Sequence, residues 1–189
     1  MFDDYYSFHP TFQLKEHCYV TSFFGTPLPQ ASRFFQTLSG VPVIDIERLL
    51  EHEVGSRLAH YNQRHHRDEL HKVECSLLMK VAKEQPSLVV LRPSTLRYRK
   101  SRNFLQEKSG VVFQQSQSVL QEELDRIYKL NVRERFWDLD LSLPLTSKQL
   151  MAEKIVWQRY IPSKWHSVEI SKLTSLDLGR YLIQLCEQL

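Results

Sequence analysis

Short apolar runs ending at residues 24, 45, 91 and 114, with helical periodicity filling the spaces between them, constrain this chain more than any other feature. The runs are Tyr19-Val20-Thr21-Ser22-Phe23-Phe24, Val41-Pro42-Val43-Ile44, Ser87-Leu88-Val89-Val90-Leu91 and Gly110-Val111-Val112-Phe113. Each is too short for a core helix and too continuously apolar for a strand with one wet face, so each reads as a buried strand. Between them, Leu70, Val73, Leu77, Leu78 and Val81 recur at three- and four-residue steps, as do Leu120, Leu124 and Ile127. Arg33-Phe34-Phe35-Gln36 belongs to a helix after the first run, and Leu178 to Leu189 forms a closing amphipathic helix. Strands that alternate with helices make a parallel sheet covered on both faces, which is an α/β fold.

Composition narrows the class without naming a function. At 189 residues the chain suits one α/β domain with a sizeable core. A hydrophobic content of 42% and a net charge of +3 are ordinary for a water-soluble domain and give no reason by themselves to expect nucleic acid. Cys18, Cys75 and Cys186 are odd in number, far apart and without C-x-x-C spacing, so they read as reduced, buried thiols of a cytoplasmic protein. The first residues carry Asp3, Asp4 and aromatics with no basic-then-apolar order, which argues against a secretory signal. No apolar run approaches membrane-spanning length.

One stretch is more specific. Val43-Ile44-Asp45-Ile46-Glu47 runs through a short helix to Gly55, and Leu70-His71-Lys72-Val73-Glu74 follows, then Leu77-Leu78. Arg92-Pro93-Ser94 comes straight after the third run, and Arg159 lies near Pro162. From about residue 17 to the C-terminus this pattern resembles the shikimate kinases of the nucleoside-monophosphate-kinase-like P-loop class. In that family the corresponding stretches are Asp-x-Asp, Phe-Arg-x-x-Glu, Gly-Gly-Gly and a late substrate-binding Arg. The resemblance implies a three-layer sandwich with a mostly parallel five-stranded sheet over residues 17–189. It also implies an N-terminal extension over 1–16 and a lid at about 131–147.

The same resemblance shows what has changed. Laid over the family's phosphate loop, the cradle positions are Ser22, Gly25 and Pro27, the Lys position is Leu28, and the Mg²⁺-binding hydroxyl position is Pro29. A cradle needs glycines whose N–H groups close around phosphate, a Lys for the β/γ-phosphates and a Ser or Thr for the metal. Two prolines offer no N–H, although Pro29 suits the start of a helix. No G-x-x-x-x-G-K-[ST] occurs anywhere in the sequence. In the substrate pocket Asp45 keeps the first acid, Glu47 replaces the second, and His71 replaces an Arg whose bidentate fork it cannot reproduce. Asp45 and Glu47 also suit the start of the helix that follows them. A rebuilt pocket for another small ligand would draw on Asp45, Glu47, His71, Glu74, Arg92 and Arg159.

Two further clusters are weaker. His52, His60, His65, His66 and His71 crowd one segment without H-E-x-x-H or Cys/His ligand spacing, so a solvated helix surface is expected rather than a metal site. Arg97-Tyr98-Arg99-Lys100-Ser101-Arg102 mixes basic and aromatic residues as phosphate-binding patches do, and equally suits a solvated face. The leading expectation is a shikimate kinase-like pseudoenzyme without cofactor, retained to sense a small ligand or to bind a protein partner. One alternative is an active small-molecule kinase that takes its cation from elsewhere, such as Arg33, Arg133 or Arg135. The other is a polyanion or nucleic-acid binder acting through residues 97–102.

Overall fold

The computed structural model describes residues 13–23, 26–58, 61, 67–130, 146–170 and 174–188, without the side chains of 123–124 and 126–130. Its strands are β1 (Cys18–Ser22), β2 (Val43–Asp45), β3 (Leu88–Val90), β4 (Gly110–Gln115) and β5 (His166–Ile170). Its helices are α1 (Leu28–Ser39), α2 (Ile46–Val54), α3 (Arg67–Val81), α4 (Arg99–Leu105), α5 (Gln117–Leu130), α6 (Ser147–Gln158) and α7 (Ser175–Gln188), with a 3-10 turn over Pro93–Arg97. The strands form one sheet in the order β2-β3-β1-β4-β5, and every pair is parallel. This is the five-stranded three-layer arrangement expected from the sequence.

Alternation along the buried strands feeds two cores, one on each face. Tyr19, Val89 and Val112 point into a cluster with Leu78 of α3, Leu105 of α4, Leu120 of α5, and Leu150 and Trp157 of α6. Cys18, Val20, Leu88, Val90, Val111 and Phe113 point the other way, onto Leu28, Ala31 and Phe35 of α1 and Leu178, Leu182 and Cys186 of α7. Leu50, Leu58, Leu70 and Leu77 make a third cluster around α2 and α3.

Two glycines are fixed by close approach. A Cβ on Gly110 would lie 2.4 Å from the Trp165 indole, and one on Gly179 would lie 2.8 Å from Phe34 Cβ where α7 crosses α1. Gly40, at φ +72°, ends α1 in the left-handed conformation that glycine adopts without a steric penalty.

Three elements are not announced by an apolar pattern in the sequence. β5 has no apolar run to announce it, because it is the edge strand and only Ile170 is buried. α4 occupies the basic run. α6 begins at Thr146 and Ser147, the last two residues of the expected lid. Thr146 caps α6 with a reciprocal capping box to Gln149, and Ser147 is the helix's first residue. The rest of the expected lid, 131–145, and residues 1–12 of the expected extension lie outside the described residues.

Candidate functional site

In an open parallel sheet, ligands bind beyond the carboxyl ends of the strands, where neighbouring connections diverge. Here that edge presents the β1–α1 turn, the Arg92–Tyr98 segment after β3, and the end of β4.

The β1–α1 turn is built from side chains that serve the core. Ser22 is the buried last residue of β1. Pro27 is the N-cap of α1 and contributes no side-chain hydrogen bond. Leu28 is 3% exposed and packs in the α1/α7 core. Its N–H is spent on the Thr26 carbonyl at 2.8 Å, and the Ala31 N–H bonds Pro27 O at 3.0 Å as the helix begins. Pro29 supplies no N–H and falls in the first turn of α1, as a proline can. Of the first four residues of α1, Leu28 and Ala31 thus have committed N–H groups and Pro29 has none. Phe24 and Gly25 lie outside the described residues.

The second locus lies between α3 and the turn after β3. The Glu74 side chain is fully buried on the inner face of α3, and its carboxylate gathers three neighbours. Thr95 Oγ1 donates to Oε1 at 2.5 Å, Arg92 Nε lies 3.7 Å from Oε1, and His71 Nδ1 lies 3.3 Å from Oε2. A carboxylate only accepts, so the His71 contact places a proton on Nδ1. The His71 ring stacks on Tyr98 with centroids 5.2 Å apart and planes 9° from parallel. Arg92 is itself 3% exposed and donates to Ser94 Oγ at 2.5 Å. The fold thus brings His71, Glu74 and Arg92 together, and adds Thr95 and Tyr98. Thr95 carried no signal in the sequence beyond its position three residues after Arg92.

The other expected pocket residues sit at the ends of helices. Asp45 ends β2 and N-caps α2, accepting from the N–H groups of Glu47 at 3.0 Å and Arg48 at 3.3 Å. Burial raises its pKa, outweighing the opposing hydrogen bond from the Glu47 N–H. Glu47 is exposed in the first turn of α2, where its charge suits the helix dipole. Arg159 is exposed at the C-cap of α6.

α6 closes over the same sheet edge. Trp157 Nε1 donates to Pro93 O at 2.7 Å, and its ring lies 5.4 Å from that of Phe23, just past β1. Lys154 Nζ donates to the Gln115 carbonyl at 2.5 Å, at the end of β4. Desolvation lowers the Lys154 pKa, against the attraction of Glu169. The basic run is largely committed inside the molecule. Arg97 pairs with Glu153 at 2.5 Å, and Arg102 lies 4.8 Å over the Tyr160 ring, which leaves Arg99 and Lys100 as its exposed cations. His52 is exposed on α2, while His60, His65 and His66 lie outside the described residues. Among the described residues no three His, Cys, Asp or Glu side chains gather as a metal site, and no helix is long and apolar enough to cross a membrane.

A fully parallel sheet in the order 2-3-1-4-5 between two helical layers is the shikimate kinase-like P-loop kinase fold. A shikimate kinase from Acinetobacter baumannii, solved in complex with shikimate, is similar at TM-score 0.69 and 15% identity, over 92% of this chain and 93% of that one. The shikimate kinase from Aquifex aeolicus is similar at 0.64 and 15%, over 89% and 95%. A gluconokinase from Sinorhizobium meliloti is similar at 0.50 and 15%, over 94% and 97%. No protein-family model matches the chain, and no curated protein matches it in sequence. At these identities the likeness speaks for the fold alone.

Proposed function

We propose that this chain is a kinase-fold domain that does not transfer phosphate, and that it acts by binding a protein partner or a small ligand. The observation that carries this reading is Leu28. In the family the residue at this position of the turn is the cation that meets the β- and γ-phosphates. Here it is an apolar side chain buried in the core, flanked by Pro27 and Pro29. Phosphoryl transfer depends mainly on positioning and on electrostatic stabilisation of charge. Losing one preorganised donor typically lowers a rate about 10²- to 10³-fold, and this turn lacks several.

The substrate side supports the same reading. Glu74, Arg92, Ser94 and Thr95 hydrogen-bond or ion-pair with one another in one buried cluster. The test is a coupled ADP-release assay with Mg-ATP and either shikimate or gluconate as acceptor. The expected result is no turnover above the rate without protein, with or without acceptor. Turnover that follows the protein through purification would overturn the proposal in favour of a kinase with an unorthodox cation.

A further inference from the structure

The two faces of the sheet differ in one chemical respect: the α1/α7 side buries two cysteines in a single cluster. Cys18 is the first residue of β1. The strand's alternation sends Cys18 and Val20 to that face and Tyr19 to the other. α7 follows β5 and so starts near the carboxyl edge of the sheet. It packs along α1 with Leu178, Leu182 and Cys186 as its buried stripe, at four-residue steps on one face of a helix. Running back across the sheet, α7 brings its last turn to the amino edge, where β1 begins. Cys18 and Cys186 are 2% and 4% exposed and lie in the same buried cluster. The neighbouring Cys186 thiol and burial push the Cys18 thiol well above the ordinary cysteine range. Both cysteines are free thiols here. The third cysteine, Cys75, is on α3.

We infer that Cys18 and Cys186 form a redox-sensitive pair whose oxidation to a disulfide clamps the C-terminal helix onto the first strand of the sheet. The reaction uses a peroxide as oxidant. Cys186 lies in the last turn of α7, and helix ends open locally more readily than the sheet beneath. On opening, its thiolate attacks the peroxide O–O bond, giving a sulfenic acid and, from hydrogen peroxide, hydroxide. With the cluster open to water Cys18 ionises, its thiolate attacks the Cys186 sulfur, the S–S bond forms, and a second hydroxide leaves. Two thiols are oxidised by two electrons, one peroxide is reduced, and the two thiol protons leave with the oxygens as two waters. The bond joins residues far apart in sequence, so it constrains the unfolded chain strongly. The inference does not depend on whether the domain transfers phosphate.

The experiment treats the full chain with hydrogen peroxide, blocks remaining thiols under denaturing conditions, and reads intact mass and disulfide-linked peptides without reductant. The expected product is a monomer lighter by two hydrogens. It should have a Cys18–Cys186 cross-linked peptide, one alkylated cysteine at Cys75, and a melting temperature above that of the reduced protein. Cys75→Ser should leave the cross-link intact, and Cys186→Ser should abolish it. Three free thiols after treatment, a link through Cys75, an intermolecular product, or sulfinic acid at either residue in place of the link would overturn the inference. The wild-type peptide map decides the matter without any variant having to fold.

Discussion

Replacing Arg92 by methionine keeps much of the side chain's length and volume and deletes its charge, in a place where the consequence can be worked out. Glu74 is 0% and Arg92 3% exposed, and Arg92 Nε stands 3.7 Å from Glu74 Oε1. At an effective dielectric of roughly 20, two unit charges at that separation attract by about 4 kcal/mol. Removing one partner of a buried pair typically costs about 3–5 kcal/mol, because the other charge stays buried without its counter-ion. For a chain of this size each kcal/mol moves the melting temperature by about 2–4 °C, so Arg92→Met should melt roughly 6–20 °C below wild type. Glu74→Gln with Arg92→Met removes both charges and leaves Thr95 an amide oxygen to donate to. The double variant should therefore recover most of the loss. Urea unfolding followed by circular dichroism measures all four corners of the cycle. If Arg92→Met costs less than about 1 kcal/mol, or if the two single losses add within about 0.5 kcal/mol, the pair is not a coupled buried unit and this reading of the pocket fails.

Other perturbations test the remaining parts of the account. Leu28→Ala should cost about 2–5 kcal/mol in urea unfolding, as for a core leucine, whereas a side chain facing an open phosphate site should cost under about 0.5 kcal/mol. Gly110→Ala puts a methyl group against the Trp165 indole and should cost about 1–3 kcal/mol with a shift in tryptophan emission; an unchanged midpoint would refute that contact. Asp45→Ala should lose about 1 kcal/mol by removing the cap of α2, while Asp45→Asn keeps a capping oxygen. Because burial raises the folded-state pKa of Asp45, the fold favours its protonated form, and that contribution fades as pH rises above about 4. The stability of Asp45→Asn relative to wild type should therefore increase from pH 3 to pH 7. A pH-independent difference would contradict the desolvation.

The sequence was most legible where burial is two-sided. β1, β3 and β4 are buried along nearly their whole length because helices cover both faces, and α7 carries a clean stripe at Leu178, Leu182 and Cys186. β5 was hidden because an edge strand with exposed His166, Ser167 and Glu169 has no apolar run. α6 was hidden because its pattern is inverted: Lys154 is buried while Ile155 and Val156 are exposed, so no helical stripe appears. α4 read as a basic run because its cations dominate the composition, and the groups that engage Arg97 and Arg102 are Glu153 of α6, the Tyr160 ring just after it and the Leu96 carbonyl in the turn before α4. At the site, His71, Glu74 and Arg92 could be named from the resemblance. Their convergence with Thr95 and Tyr98 depends on how the turn after β3 folds against α3, which no local spacing encodes.

The central claim is that the β1–α1 turn no longer receives phosphate, and isothermal titration of the full chain with Mg-ATP and Mg-ADP tests it most directly. The account predicts no heat of binding up to millimolar nucleotide for either ligand. A saturable, stoichiometric isotherm with Mg-ATP would contradict it, because the anion would then be held by a turn in which Leu28 is buried and Pro27 and Pro29 offer no N–H.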